Sequence, residues 1–337
     1  MQIAIVGSGS IGQRHVRNIR SLRQSQDDIT IIRRKSSTGK VIRDLRAYPD
    51  REEFQLHDRV AYADTPEEIP LDKFDLLFVC NPTSFHCEWV LAGLEANVPI
   101  FCEKPLAPSN QGLEPFLHWL DREDRIFHIG YQLPYDPLWE SFRSAVRRLS
   151  KMSPILALYV GWHEDVRQAH PWENWEEGYA VRTDLGGGVL PNYSHDLHLI
   201  RNLFGKMSDV RLQYSSDRMG LPVTITFGFA INEIKGIFSQ NMFSGNIHAT
   251  HAITVDFEVG TVRWDIMNGY LHTRKGDTST TEHSVEWSRN DAFLSEMKYF
   301  LGVVDGSFLS KPENSLSNAL DICHMIGDIE RVCNRSL

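Results

Sequence analysis

The chain has 337 residues, room for two domains of usual size, and its 42% hydrophobic and 23% charged residues suit a globular protein. A formal net charge of −9 argues against a nucleic-acid partner, which needs a basic face to neutralise phosphates. No apolar run approaches the roughly 20 residues that span a bilayer, so no membrane partner is expected.

Met1 leads straight into an apolar strand pattern over residues 2–6, without the basic start and longer apolar stretch of a signal peptide. A cytoplasmic protein is expected. The spacing then predicts a helix over 11–23 and strands over 29–33 and 76–80. A helix over 84–96, a strand over 99–103 and a helix over 109–122 follow. Near-continuous apolar strands alternating with helices imply a parallel sheet covered on both faces. Turn signals from Gly130 to Pro137 precede a helix over 138–150.

Beyond residue 150 the texture changes. Strand patterns succeed one another at 155–163, 209–215, 222–231, 235–243, 248–258, 261–266 and 268–274. Gly260 and Asn268-Gly269 read as hairpin turns. Two helices, near 291–305 and 314–334, close the chain. The expected fold class is α/β, with residues 1–125 as a Rossmann dinucleotide-binding domain. Residues 126–337 are expected to form an α/β domain with a large, mainly antiparallel open sheet, binding substrate and mediating oligomerisation.

Gly7-Ser8-Gly9-Ser10-Ile11-Gly12 follows a strand and opens a helix, the context that gives G-x-G-x-x-G its meaning. Gly7 permits the tight turn, Gly9 lets backbone approach a pyrophosphate, and Gly12 lets helix and strand pack closely. The helix N-terminus offers unpaired N–H groups to the phosphates. About 20 residues further on, an acidic residue would mark NAD. Here Arg33-Arg34-Lys35-Ser36 stands instead, and cations with a serine favour the 2′-phosphate of NADP, with NAD as the alternative.

The five cysteines (Cys80, Cys87, Cys102, Cys323 and Cys333) form no C-x-x-C pair, which suits a reduced compartment. No metal is expected. His195-x-x-His198 and His248-x-x-His251 lack a third ligand at useful spacing, and residues three apart on a strand point to opposite faces.

Four further stretches carry a resemblance. Asn81-Pro82-Thr83-Ser84-Phe85-His86 follows one strand and Cys102-Glu103-Lys104-Pro105-Leu106 another. Gly186-Gly187-Gly188-Val189-Leu190-Pro191-Asn192-Tyr193-Ser194-His195-Asp196 precedes a helix that ends in Leu203-Phe204-Gly205. Gly260-Thr261-Val262-Arg263-Trp264-Asp265 lies in the late sheet. In this order the chain resembles the glucose–fructose oxidoreductase / inositol dehydrogenase / MocA (Gfo/Idh/MocA) family. The run Tyr179 to Gly188 and the form Ser194-His195-Asp196 resemble members from carbohydrate-modifying pathways.

The resemblance implies hydride transfer between a nicotinamide and a hydroxyl- or keto-bearing carbon of a sugar, deoxysugar or cyclitol. It also implies a homodimer or homotetramer formed through the C-terminal sheet. Two alternatives stand beside it: a reductase of a dihydrodiol or imine, and a non-catalytic dinucleotide-sensing regulator.

Lys104 stands at the carboxyl end of a strand, where ligands of parallel α/β sheets bind. Its ammonium can polarise a carbonyl or steady an alkoxide, the role that the resemblance also implies, together with a cis Lys104–Pro105 bond. His195 lies at a helix start, where a neutral imidazole relays protons. The resemblance implies cofactor contacts for Asn81, Pro82, Thr83 and His86, and Glu103 suits the nicotinamide ribose hydroxyls.

Tyr131, Gln132, Trp172, Asn192, Tyr193 and His195 are the candidate substrate contacts. Asn192 stands where the family usually has an aspartate, and His198 where another often follows. Asn192 cannot take a proton, so proton transfer falls to His195 with Lys104 or Tyr193. Pro134 falls where the family often has arginine, which weakens the case for a phosphorylated or carboxylated substrate held by that loop.

Overall fold

The structure is a computed structural model describing all residues except 24–26, 36–40, 44–45, 49–58, 123, 170–173, 246–248, 285–287 and 335–337. Its strands are β1 (Gln2–Val6), β2 (Asp28–Arg33), β3 (Val41–Arg43), β4 (Arg46–Tyr48), β5 (Arg59–Tyr62), β6 (Leu76–Val79), β7 (Ile100–Glu103) and β8 (Phe127–Gly130), then β9 (Ile155–His163), β10 (Ser208–Arg218), β11 (Leu221–Ile231), β12 (Ile234–Asn241), β13 (Thr250–Phe257), β14 (Gly260–Asp265), β15 (Tyr270–Lys275) and β16 (Thr278–His283). The helices are α1 (Ser10–Arg23), α2 (His86–Glu95), α3 (Pro137–Ser150), α4 (Val166–Ala169), α5 (Val189–Asn192), α6 (His195–Phe204), α7 (Arg289–Val304) and α8 (Leu316–Asn334).

The first sheet has the order β5-β2-β1-β6-β7-β8, parallel throughout. β6 and β7 are buried along their whole length, as strands covered on both faces must be. Ile3, Ile5, Phe78 and Phe101 meet Val16 and Ile19 of α1 together with Met297 and Phe300 of α7. Ala4, Leu77 and Val79 face the other side, with Trp89, Val90 and Leu94 of α2. The chain reverses its strand order between β1 and β6, and ligands of such sheets bind beyond the carboxyl ends at that point.

The sixth strand, β8, lies beyond residue 125, so the first sheet extends past the division read from sequence texture. The helix expected over 109–122 is absent. Pro108 to Gly112 form turns, with Gly112 at φ +70°, and only a 3₁₀ stretch forms at Glu114–Trp119. Pro115 lacks an N–H and suits a first turn, not a helix interior.

The second sheet runs β10-β11-β12-β9-β13-β14-β15-β16, antiparallel except where β12 meets β9. Alternation governs it: along β11 every second residue is buried. The inner face packs on α3, where Trp139 and Phe142 lie 5.8 and 5.7 Å from the Trp264 ring. The fully exposed edge strand β16 was not anticipated, because its polar run Thr278–His283 carries no burial alternation. Gly260 begins β14 instead of forming the turn before it. Gly269 does turn between β14 and β15, with φ +68°.

The closing helices return to the first sheet. Met297 and Phe300 of α7 enter its core, and Cys323 of α8 accepts the Ala107 N–H at 3.3 Å. Among the described residues no helix is long and apolar enough to cross a membrane.

Candidate active site

The glycine loop sets the floor of the site. Gly7 has φ +101°, and its N–H donates to the Ile32 carbonyl at 2.9 Å. A Cβ there would strike the backbone of Cys80 and Asn81, and one on Gly12 would overlap the Gly7 carbonyl. A Cβ on Gly9 would meet nothing within 4 Å, so the backbone faces open space beside the first turn of α1. That turn has amides without intrahelical acceptors, an anion cradle of the kind a pyrophosphate fits.

A cleft of about 920 Å³ opens over this loop. Gly7 to Ile11 line it, together with Arg33, Arg34, Asn81, Pro82, Thr83, His86, Glu103, Lys104, Gln132, Asn192, Tyr193 and His195. Most of the expected cofactor and substrate residues therefore line one space. Gly12 sits behind the loop as a packing position. Tyr131 does not reach the cleft: it is fully buried, stacked on His198 at 4.0 Å with its hydroxyl on Ser194 Oγ at 3.3 Å. Ser36, Trp172 and His248 lie outside the described residues.

Several of these side chains hold the site's own backbone. His86 has Nδ1 2.8 Å from the Pro105 carbonyl and Nε2 2.8 Å from the Asn81 carbonyl. Burial lowers its proton affinity, so the neutral ring donates to one of them at a time and staples the loop after β6 to the loop after β7. Glu103 Oε1 accepts from His15 Nε2 at 2.7 Å. The Arg34 guanidinium lies over the Phe85 ring at 4.2 Å.

Lys104 follows directly on the end of β7, and the bond to Pro105 is cis. Its Nζ donates to the Asn192 carbonyl at 2.7 Å. Burial lowers its pKa to about 8, with Arg289 adding to the fall and Glu103 opposing it. His195 opens α6, and burial with the nearby Lys104 and Arg289 charges holds it neutral, well below the usual imidazole range. The Asn192 amide turns away from the cleft's chemistry, donating to Ala180 and Gly188 carbonyls at 2.9 and 2.7 Å. Its main chain, not its side chain, engages Lys104.

Behind His195 lies a set that the sequence analysis did not bring together. Asp196 is fully buried and accepts from His251 Nε2 at 2.6 Å and from Gln240 Nε2 at 3.0 Å. Trp162 stacks on His251 at 4.1 Å and on Tyr193 at 4.2 Å. The Asp196 carboxylate thus fixes the aromatic wall beside His195. Its position next to His195 was the one available signal. His198 donates Nε2 to the Glu313 carbonyl at 2.8 Å, a structural anchor. Among the described residues no group of three metal-ligating side chains occurs.

Residues 1–131 match the family described as oxidoreductase family, NAD-binding Rossmann fold (GFO_IDH_MocA). Over these residues the chain is similar to the Gfo/Idh/MocA family. Among curated relatives, the inositol 2-dehydrogenase of Pseudomonas syringae pv. syringae (strain B728a) is 29% identical over 206 residues, 60% of this chain and 54% of that protein. The myo-inositol 2-dehydrogenase of Thermotoga maritima is 29% identical over 146 residues, 43% of this chain and 40% of that protein. The chain thus matches about half the length of these Gfo/Idh/MocA relatives. Among solved structures, levoglucosan dehydrogenase in complex with NADH and levoglucosan superposes with a TM-score of 0.80 at 14% identity, covering 100% of this chain and 98% of that one. The aldose-aldose oxidoreductase from Caulobacter crescentus superposes at 0.75 with 16% identity, covering 100% and 98%. These likenesses show that both sheets, not the first alone, follow one shared fold.

Proposed function

We propose that the chain is an NAD(P)-dependent dehydrogenase or reductase acting on a hydroxyl- or keto-bearing carbon of a sugar, deoxysugar or cyclitol. The observation that carries this reading is Lys104. Its pKa is lowered to about 8 at a strand end, in the same cleft as a glycine loop shaped for a dinucleotide. The named activities of the curated relatives and solved structures are of the same class.

A nicotinamide bound in the cleft would supply the hydride acceptor or donor. Gly7 to Ile11 would receive the pyrophosphate, while Asn81, Pro82, Thr83 and Glu103 would line the ribose and nicotinamide end. The Lys104 Nζ takes the proton of the substrate hydroxyl in oxidation and returns it to the carbonyl oxygen in reduction. The Asn192 carbonyl keeps the amine aimed, and the neutral His195 ring offers a hydrogen bond beside it. Trp162 and Tyr193 form a wall that keeps water from one side, and Gln132 offers hydrogen bonds to hydroxyls.

Arg33 and Arg34 lie where β2 ends and line the cleft, which favours the 2′-phosphate of NADP. Titration of the protein with NADPH and NADH, followed by turnover with a panel of ketosugars and polyols, tests both points. NADPH is expected to bind more tightly, and Arg33→Asp is expected to weaken NADPH about tenfold or more, in line with a lost charge-assisted contact. A clear preference for NADH would sink the NADP assignment. Binding without turnover of any panel member would favour a sensor.

The exposed Tyr159, Tyr214 and Ile237 on the outer face of the second sheet support a homodimer or homotetramer built through that face. The five cysteines are free thiols, as suits the cytoplasm.

A further inference from the structure

One end of the cleft holds more positive charge than proton transfer at Lys104 needs. Arg289, in the first turn of α7, lines the cleft with Lys104, His195 and Arg14. Its side chain is exposed and makes no hydrogen bond or ion pair among the described residues. A cation at this helix end is also opposed by the helix dipole. Arg14 reaches the same space from α1, with its guanidinium over the Phe293 ring at 4.6 Å. Burial, and then the charge of Arg289, lower the proton affinity of Arg14 to about 10.

The carboxylates of the cleft are mostly engaged elsewhere. Glu103 acts on both Lys104 and Arg14 but already holds His15 at 2.7 Å. Glu164 accepts from Trp162 Nε1 at 3.2 Å, Asp165 pairs with Arg167, and Glu177 accepts from Asn174 at 3.3 Å. The Arg289 charge repels both Lys104 and Arg14, and an anion set among the three would relieve that repulsion. A guanidinium presents two parallel N–H groups that match a carboxylate or phosphate.

We propose that Arg289, with Arg14 beside it, forms an oxyanion subsite at the reacting end of the cleft, and that the substrate carries a carboxylate or phosphate. The proposal rests on the oxidoreductase reading above. It also reverses an expectation from the sequence, where Pro134 in place of arginine weakened the case for an anionic substrate. The cation is supplied from α7 instead of from the loop after β8.

Calorimetric titration of the full chain, with and without saturating NADPH, tests it using D-glucuronate, glucose 6-phosphate and uncharged D-glucose. At least one anionic probe is expected to bind about tenfold or more tightly than glucose, the margin of a charge-assisted contact. Which anion wins distinguishes carboxylate from phosphate. Arg289→Gln is expected to erase that margin and Arg289→Lys to keep part of it, with NADPH affinity unchanged in both. Equal affinity for the three probes, or none for any, overturns the subsite. So does an Arg289→Gln variant that loses NADPH affinity while keeping the anion margin, since the guanidinium would then serve the dinucleotide. Failure of the oxidoreductase reading looks different: NADPH would not bind, or no substrate would turn over, while the anion margin is still read on the protein alone.

Discussion

Burial acts in opposite directions on two groups that meet between β8 and α7. His128 Nε2 lies 3.2 Å from Glu296 Oε1, and both side chains are almost wholly shielded from water. Burial pushes the His128 pKa down to about 3 and drives the Glu296 carboxyl well above its usual range. The pair is therefore a neutral hydrogen bond, not an ion pair. Glu296→Gln keeps the shape and the polar partner and is expected to leave the melting temperature nearly unchanged. Glu296→Ala strips a buried partner, which costs about 2 kcal/mol, a fall of roughly 4–8 °C. Thermal melts of both variants check this, and a large loss in Glu296→Gln would mean that the carboxyl is charged.

Elements that announce themselves locally were legible in the sequence. β1, the glycine loop and α1 form one contiguous signal, and Lys104 follows a strand by its own short motif. The alternation along β11 reads directly as a half-buried sheet. What escaped depends on distant partners. Tyr131 sits beside Gln132, yet stacking on His198 buries it behind the site. His86 looks like a ligand at the start of α2, but two nearby carbonyls claim its nitrogens. The helix over 109–122 failed because Pro115 breaks its ladder. Arg289 gave no signal at all, since only the return of α7 onto the first sheet brings it to Lys104.

At the scale of the whole molecule, the two sheets contribute different halves of one cleft, and α7 and α8 tie the second part of the chain back to the first. The outer face of the second sheet carries exposed Tyr159 and Ile237 on neighbouring strands. Such side chains fit an interface between copies. An Ile237→Asp, Tyr159→Arg double variant is expected to elute as a monomer in size-exclusion chromatography at concentrations where the unaltered chain does not. A monomeric unaltered chain would remove that assignment.

In the proposed reaction Lys104 moves the proton while the glycine loop holds the dinucleotide. Because its pKa lies near 8, the free amine needed for oxidation grows as pH rises through that value, and the ammonium needed for reduction declines. The most direct measurement is the pH profile of kcat for polyol oxidation in the unaltered chain and in Lys104→Met, with cofactor affinity measured alongside. The kcat is expected to rise through about pH 8, a rise abolished with nearly all turnover in the variant while the dinucleotide still binds. An active variant with the same inflection would contradict it.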